Sequence, residues 1–411
     1  MDNTPSEAIS FASTSIKLYI WSLIKDIEGN LMRICAQCVN VTTRPNINFS
    51  EKGLCPVCVH YNERKAGAID WSKRKEQLAE IAAWGIENSN SSFDCIVGVS
   101  GGKDSTRQAF YIRDELNMKP LLISLMYPPE QMRDRGAANI SNLISHGFDI
   151  QTISCNPIVW KQMMKRAFLE FGNWCKATEY ALYSSAVHFS IAFQIPLIFL
   201  GENPAYTIGE RHGSDDGDAT SMRNCNTLQG GVLPDSLTEG INPKDLYLHT
   251  YPSEEDVVMA KTRIAYLGYY VEDFNCIKNK DFAVENGLTL RTEPPEETGD
   301  ITNSQSLDED FYPVNQFFKF IKLGFGQVTD KAGEMINLGA LTREEGLELV
   351  KLYDGKCHDR YIKAFCDYLQ ISREEFDEVV ERYRNKDLFT KRDNEWVLNY
   401  DVQSLAENVN E

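Results

Sequence analysis

Short apolar runs alternate with longer amphipathic stretches through the middle of this chain. Four runs have the length and the β-branched content of buried strands, at residues 93–99, 120–126, 149–154 and 195–200. Stretches with helical periodicity separate them, at residues 104–116, 131–146 and 157–193. Because the connections are long enough for helices, the pattern predicts an α/β fold with a doubly wound parallel sheet covered on both faces.

The last hundred residues follow a different pattern. From about residue 311 the sequence is charged and has helical periodicity throughout. Thr342 with Glu345, and Ser372 with Glu375, have the spacing of capping boxes, and apolar residues at helical spacing follow each pair. We therefore expect a mainly helical C-terminal region.

A glycine turn joins the first predicted strand to the first predicted helix. It reads Ser100-Gly101-Gly102-Lys103-Asp104-Ser105. The order strand, glycine turn, helix directs backbone N–H groups and the positive helix end at one point, as a phosphate-binding loop requires. A carboxylate at Asp104 beside phosphate needs an intervening cation such as Mg²⁺. An ordinary strand-to-helix turn is the alternative interpretation, but the full six-residue string favours phosphate binding.

Two Cys-x-x-Cys pairs precede this loop. They are Cys35 with Cys38 and Cys55 with Cys58. Each pair places two thiolates on one tight turn, and two facing turns form a tetrahedral sulfur site. The spacing predicts a structural zinc site of the ribbon type, whose metal supplies the folding free energy of a segment too small for its own core. An iron–sulfur cluster is the competing interpretation, because four cysteines serve either metal.

Charge and cysteine content narrow the classes of function. The 411-residue chain has a net charge of −18 and 11 cysteines. A protein that binds mainly tRNA or DNA needs a broad basic face, so the acidic balance argues against a nucleic-acid substrate. The sequence contains no secretory signal and no membrane-spanning run of about 18 apolar residues. We therefore expect a cytoplasmic protein, in a reducing compartment where cysteine pairs remain available for metal.

These features together predict four segments. They are an N-terminal helical extension (1–32), a four-cysteine zinc-ribbon-like module (33–65), an α/β nucleotide domain (66–300) and the helical C-terminal region (301–411). Within the α/β domain, residues 203–245 are rich in glycine and predict a long mobile loop. That loop is either a lid over the substrate or a plain insertion.

The glycine turn resembles the loop of the PP-loop ATP pyrophosphatases, the adenine nucleotide α-hydrolase-like proteins, which grips the pyrophosphate that leaves ATP. Over residues 33–385 the wider sequence is similar to the N-acetyl sugar amidotransferases of bacterial surface-polysaccharide synthesis. Besides the loop and the cysteines, the similarity rests on residues 42–47, 201–203, 266–270, 307–308, 324–326, 329–330, 342–345 and 353–355. The chain departs from that family at Gln327-Val328 and Ile336-Asn337, which flank the expected sugar site.

The resemblance implies a reaction and roles for the loop residues. The implied enzyme adenylylates the N-acetyl oxygen of a sugar, and ammonia then displaces AMP to give an acetamidino sugar for lipopolysaccharide O-antigen, capsule or flagellar glycan. ATP would bind the loop residues, with Mg²⁺ held partly by Asp104. Lys103 would neutralise phosphate charge unless it faces solvent. Glu202 would hold Mg²⁺ or deprotonate ammonia unless it caps a helix.

The implied partners are a sugar and an ammonia source. The sugar is N-acetylated and either nucleotide-linked or free. Because no glutaminase nucleophile is evident in the sequence, the resemblance implies a separate glutaminase and cyclase-like pair that delivers ammonia. Two alternatives stay open: a tRNA-thiolating PP-loop enzyme, weakened because Cys175, Cys225 and Cys276 stand alone, and a non-catalytic zinc-ribbon binding protein.

Overall fold

Five parallel strands form the central sheet. The computed structural model describes residues 32–209, 216–225, 228–393 and 395–400, so nearly all of the predicted N-terminal extension lies outside the described residues. The strands are β1 (Cys95–Gly98), β2 (Pro120–Leu125), β3 (Asp149–Ile153), β4 (Leu197–Leu200) and β5 (Arg263–Tyr266). Their order across the sheet is β3-β2-β1-β4-β5, with every pairing parallel. The predicted doubly wound α/β fold is confirmed.

Helices cover both faces of this sheet. The longer ones up to β4 are α1 (Pro56–Lys65), α2 (Trp71–Asn88), α3 (Lys103–Asp114), α4 (Asp134–Ser145), α5 (Pro157–Phe171) and α6 (Cys175–Phe193). Shorter elements follow: α7 (Pro204–Thr207), α8 (Asp235–Thr238), α9 (Glu254–Met259), α10 (Leu267–Tyr270), α11 (Cys276–Glu285), α12 (Pro295–Thr298) and the 3₁₀ turns Thr220–Asn224 and Pro243–His249.

The C-terminal region is helical, as predicted. It contains α13 (Tyr312–Leu323), α14 (Gln327–Asn337), α15 (Arg343–Tyr353), α16 (Asp359–Leu369), α17 (Arg373–Tyr383) and a hairpin of β6 (Phe389–Arg392) and β7 (Glu395–Leu398). Both predicted capping boxes are present in full, at the starts of α15 and α17. Within the described part of the chain, no helix is long and apolar enough to cross a membrane.

The strand side chains alternate between two apolar cores. Val97 of β1 and Phe199 of β4 face one side, where they pack beneath α2, α3 and α4. Ile96 and Ile198 face the other side, towards α6. Because both faces of each central strand are buried, these strands are apolar throughout, which explains why the sequence shows runs instead of alternation.

Two predictions of element boundaries were wrong. The stretch 157–193 is two helices, because Gly172 has φ +53° and ends α5 in the left-handed conformation. Residues 203–245, predicted as a mobile loop, contain segments that pack against the sheet and against α5. There Met222, Leu228 and Leu237 are buried, and Ala219 N donates to the Ile264 carbonyl of β5. Burial of these apolar side chains holds the segment in place.

An aromatic core joins the C-terminal helices to the α/β part. Phe168 of α5 lies against Phe318 of α13, Phe365 of α16 and Phe376 of α17, with ring centroids 5.0–5.5 Å apart. Aromatic contacts of this size contribute strongly to packing. As a result, α14 lies against both the cysteine module and the carboxyl edge of the sheet, where the candidate site is.

Candidate functional site: the glycine loop and its neighbours

The loop of residues 100–105 leaves β1 and enters α3 at the carboxyl edge of the sheet. Gly101 has φ +72°, and a side chain there would come within 3.1 Å of the Asn139 Cβ, so the turn requires glycine. Gly102 is the N-terminal cap of α3, which leaves the first N–H groups of that helix directed into the loop. The Ser105 hydroxyl donates to the Gly102 carbonyl oxygen at 3.1 Å. This is the geometry of an anion-binding turn.

A small cavity lies beside the loop. Ser100, which is exposed, lines it together with Ser124 at the end of β2 and with Met126 and Tyr127 just after that strand. Asp308, from the C-terminal region, closes the far wall. Ser100 and the residues after β2 thus meet at the carboxyl edge of the sheet, where open α/β sheets bind their ligands.

Lys103 and Asp104 form an ion pair at the start of α3, in which the lysine is buried and the carboxylate is 25% exposed. Only 2% of Lys103 is exposed, and its ammonium group donates to Asp104 Oδ2. The interpretation of Lys103 as a solvent-facing residue is therefore wrong. Asn279 of α11 donates to the other carboxylate oxygen, Asp104 Oδ1, at 2.9 Å. Although burial opposes its ionisation, the pKa of Asp104 is lowered by Lys103 and by Lys331.

Glu202 follows β4, the strand next to β1. Its Oε1 is buried and has no hydrogen-bond partner among the described residues. Burial first, and then the charge of Asp104, raise the pKa of Glu202 to about 7. The interpretation of Glu202 as a helix cap is wrong, because the neighbouring Asn203 caps α7 by accepting from Ala205 N at 3.0 Å. Glu202 is instead a half-buried carboxylate whose charge interacts with those of Asp104 and Lys331.

Helix α14 contributes two further charged residues to the site around the glycine loop. Lys331 Nζ donates to Glu334 Oε2 at 3.1 Å, and Glu334 Oε1 accepts from Cys276 N, at the start of α11, at 3.0 Å. Lys331 is 6% exposed and Glu334 2%. Together with the residues above they form what we call the loop charge cluster: Lys103, Asp104, Glu202, Lys331 and Glu334. Three carboxylates thus face two lysines.

The four predicted metal ligands meet in one buried cluster. The sulfur atoms of Cys35, Cys38, Cys55 and Cys58 lie within 4.8 Å of one another. Two of the sulfur–sulfur distances are 3.7 Å. A tetrahedron with metal–sulfur bonds of about 2.3 Å has edges of about 3.8 Å, so the four thiols fit one tetrahedral ion. A multi-iron cluster spreads its cysteines over several iron atoms and needs a wider arrangement.

Helix α14 also lies on this metal centre. Asn337 Nδ2 donates to Cys58 Sγ at 3.4 Å, and a side chain at Gly333 would come within 3.8 Å of Cys38 Sγ. The backbone N–H groups of Asn40 and Cys55 donate to ligand sulfurs at 3.3 Å. Such contacts hold thiolates in position around a metal. The same helix therefore contacts the metal centre and the loop charge cluster.

A second group of buried charges anchors α14. Arg44 of the cysteine module and Lys319 of α13 both donate to Asp330, and we call these three residues the Asp330 triad. Burial opposes ionisation, but Arg44 and Lys319 lower the pKa of Asp330 to about 2. Asp354 completes the arrangement by accepting from Gly326 N and Val328 N, at 2.8 and 3.0 Å, which caps the start of α14.

Sequence reasoning missed Lys331, Glu334 and Asn279. Each lies on an ordinary amphipathic helix, more than 170 residues from the loop, and no local motif distinguishes a buried lysine from a solvated one. The nearest signal was Thr329-Asp330, noted only for its resemblance to the family. A helical wheel of α14 would have placed Lys331 and Glu334 on one face, three residues apart.

Comparison with known proteins supports the predicted family resemblance at the C-terminal end. Residues 302–403 match the family model of the "LPS biosynthesis protein WbpG-like, C-terminal domain". This range contains α14, and therefore Lys331 and Glu334 of the loop charge cluster.

Two individual proteins are similar over parts of the chain. An uncharacterized protein of Methanocaldococcus jannaschii is 25% identical over 113 residues, which is 27% of this chain and 39% of that relative. The chain thus spans well under half the length of the curated relative that it matches. Among solved structures, an NH3-dependent NAD synthetase from Campylobacter jejuni is 14% identical, with a TM-score of 0.27, and covers 55% of this chain and 100% of its own.

Proposed function

We propose that this protein is an ATP-dependent amidotransferase of surface-polysaccharide biosynthesis. It converts the N-acetyl group of a sugar into an acetamidino group and releases AMP and pyrophosphate. One observation carries the proposal: the glycine loop and the region that matches lipopolysaccharide biosynthesis proteins share a single buried site, the loop charge cluster. A PP-loop joined to such a domain favours ATP chemistry on a glycan precursor.

The glycine loop suits the binding of ATP. The N–H groups at the start of α3 bind the pyrophosphate portion, beside the exposed Ser100. Asp104 is the residue that would hold Mg²⁺, which supplies charge neutralisation between the phosphates and the carboxylates. The excess of one carboxylate in the cluster suits a bound cation.

Adenylylation makes the amide oxygen a leaving group. The acetamido oxygen attacks the α-phosphorus, the bond to pyrophosphate breaks, and an O-adenylyl imidate forms. The nitrogen of ammonia then attacks the imidate carbon, and the bond from carbon to the AMP oxygen breaks. AMP therefore carries away the original acetamido oxygen, and the acetamidino group keeps the new nitrogen.

Glu202 is the candidate base for the second step. Its unpartnered oxygen lies in the cluster, and a pKa of about 7 lets it accept a proton from the attacking nitrogen near neutral pH. Ammonia reaches the site from a separate glutaminase and cyclase-like pair in the cytoplasm, because water would otherwise hydrolyse the adenylate. We assign zinc to the four-cysteine centre, as a structural ion without an open ligand position.

An AMP-release assay tests this function. The reaction contains ATP, Mg²⁺, an ammonium salt at high pH and a panel of free and nucleotide-linked diacetamido sugars. We expect AMP with one class of sugar only, and a heavy oxygen isotope placed in its acetamido group should appear in AMP. AMP that forms without any sugar dependence contradicts the proposal.

The same assay separates the two alternatives. AMP formed only with tRNA and a sulfur donor would identify a thiolating enzyme. The cysteine nearest the loop charge cluster, Cys276, is 4% exposed, and burial together with Glu334 raises the pKa of its thiol, so it is a poor nucleophile. Binding of ATP without turnover under any condition would identify a non-catalytic binding protein.

A further inference from the structure

Lys331 occupies an unusual position for a lysine on a helix. It is 6% exposed, and its hydrogen-bond partner Glu334 is 2% exposed, so neither charge is solvated. Burial of an ion pair costs several kcal/mol in desolvation, and an apolar pair at the same places of α14 would serve packing as well or better. The pair therefore requires an explanation other than stability.

Hydrogen bonds at both ends of one turn of α11 link Lys331 to the glycine loop. Glu334 accepts from Lys331 and also from the N–H of Cys276, which begins α11. One turn further along α11, Asn279 donates to Asp104 at 2.9 Å, and Asp104 accepts from Lys103. This chain of contacts fixes α14 against the start of α3, where the phosphates of ATP are proposed to bind.

The charges around Lys331 are not balanced by its own partner. Besides Glu334, the carboxylates of Glu202 and Asp104 act on it, and these three together raise its pKa well above the ordinary value although burial works against the charge. Glu202 Oε1 has no hydrogen-bond partner among the described residues. Lys331 is therefore held in the charged form at a place where one carboxylate remains uncompensated.

We propose that Lys331 is a catalytic residue whose ammonium group contacts the α-phosphate of ATP, and that Glu334 is its positioning residue. The inference rests on the proposed function. As the acetamido oxygen attacks the α-phosphorus and pyrophosphate departs, negative charge grows on the non-bridging oxygens, and a preorganised ammonium donor stabilises it. No proton is transferred to or from Lys331 in this step.

Lys103 is a poorer candidate for this role. It already donates to Asp104 and belongs to the first turn of α3, behind the loop. Lys331 approaches from α14, on a separate element of the fold. A site clamped by the loop on one side and by Lys331 on the other holds the phosphorus between fixed charges, which is how phosphoryl-type transfers are usually stabilised.

The test compares Lys331→Gln with the wild-type protein in the sugar-dependent AMP assay. Glutamine keeps a donor for Glu334 and removes the charge. We expect kcat to fall about 100-fold while the KM for ATP changes less than about threefold, because the contact is made in the transition state. Binding of α,β-methylene-ATP, a non-reactive analogue, should stay within about threefold of wild type, and Lys331→Arg should recover about tenfold of the lost rate.

Lys322→Gln is the matched control. Lys322 is a partly buried lysine on α13 that donates to the carbonyl oxygens of Phe171 and Gly172, outside the cluster. Its replacement should leave kcat unchanged. Metal content and melting temperature are measured for every variant, so that a change of folding is separated from a change of chemistry.

Two results would overturn the inference. A kcat for Lys331→Gln within about threefold of wild type would remove Lys331 from the chemistry, and equal losses of analogue binding and of kcat would reduce it to a ground-state contact. If Lys331→Gln does not fold, Glu334→Gln replaces it, with an expected loss in kcat of about tenfold at unchanged analogue binding. A wild-type protein that forms no AMP with any sugar refutes the proposed function itself, and the inference with it.

Discussion

The two groups of buried charges on α14 differ in one respect. In the Asp330 triad, both cations donate to one carboxylate, and the neighbouring Asp354 is fully hydrogen-bonded at the helix start. In the loop charge cluster, three carboxylates face two lysines, and one oxygen of Glu202 has no described partner. Asp330 and Lys331 are adjacent in sequence, yet the first belongs to a completed network and the second to one that lacks a cation.

This difference distinguishes a structural network from a site. In a complete network each buried charge has a partner without any ligand, so removal of one member leaves an uncompensated buried charge. An incomplete one is costly until a ligand arrives, so selection for stability alone would not retain it. The carboxylate with two cation partners and the one without a hydrogen-bond partner differ in the same sense: the pKa of Asp330 is lowered to about 2, whereas that of Glu202 is raised to about 7.

The largest effect is expected for Asp104→Asn in the loop charge cluster. It removes the residue that would hold Mg²⁺ and should reduce sugar-dependent AMP formation by a factor on the order of 1,000. Stability to urea should fall less than in Asp330→Asn, because the loss of one charge relieves the excess of carboxylates in the cluster, although Lys103 loses its partner. The control is Asp273→Asn, which breaks an exposed pair with Arg107 on the same helix. Unfolding of the Asp104→Asn protein at a clearly lower urea concentration would place Asp104 with the structural network instead.

Asp330→Asn should act in the opposite way. Arg44 and Lys319 lose their shared carboxylate, so the free energy of unfolding should fall by about 3 kcal/mol, measured in urea. AMP formation by the folded fraction should fall far less than in Lys331→Gln. Asp367→Asn, in the exposed pair with Lys363, is the control and should change nothing measurable. An unchanged urea midpoint for Asp330→Asn would contradict the division between the two groups.

The pH dependence of folding stability also distinguishes the loop charge cluster from the Asp330 triad. Glu202 binds its proton more tightly in the folded protein than its ordinary pKa of 4.5 implies, so its contribution to stability is complete below pH 4.5 and is lost as the pH rises towards 7. Relative to wild type, Glu202→Gln should therefore gain stability between pH 5 and pH 7, on the order of 1 kcal/mol per pH unit, without Mg²⁺.

The Asp330 triad provides the reference for that experiment. Asp330 has a lowered pKa of about 2, so its contribution is present above pH 4 and is lost only in more acidic solution. The stability difference between Asp330→Asn and wild type should thus be constant from pH 5 to pH 7. If the stabilities of Glu202→Gln and of wild type changed in parallel with pH, the pKa of Glu202 would not be raised in the folded protein.

The smallest effect is expected for the helix caps, whose removal shows how the AMP assay responds to a general loss of stability. Thr342→Ala removes the hydroxyl that accepts from Glu345 N at 3.2 Å and should cost about 1 kcal/mol of stability, with no change in AMP formation. Ser372→Ala removes the equivalent cap of α17 and should cost a similar amount. A loss of AMP formation in either variant would show that the assay responds to general destabilisation.

Local sequence patterns were sufficient for the fold and for half of the site. Four strands, the loop and the four cysteines are each defined by residues that are close in sequence, so periodicity and spacing were enough to find them. Strand β5 was not predicted, because Arg263–Tyr266 begins with a charged residue and its apolar residues continue directly into those of α10. The burial of Lys103 also escaped, since it depends on Asn279 and α14, which arrive from distant segments.

The other half of the site required tertiary structure. Lys331 and Glu334 have the same local appearance as the exposed pair Lys363 and Asp367, which also lies on an amphipathic helix. Packing against segments distant in sequence buries the first pair, whereas the second stays exposed. No rule of local spacing contains that information.

The late position of α14 in the chain has a consequence for protein synthesis. During translation the cysteine module and the glycine loop leave the ribosome long before residue 327, and domains fold in that order. An unfinished or truncated chain then has the nucleotide loop but neither Lys331 nor Glu334, nor the helix that covers the thiols. On the proposed mechanism such a chain lacks the lysine assigned to the α-phosphate, so ATP would be consumed only by the completed polypeptide.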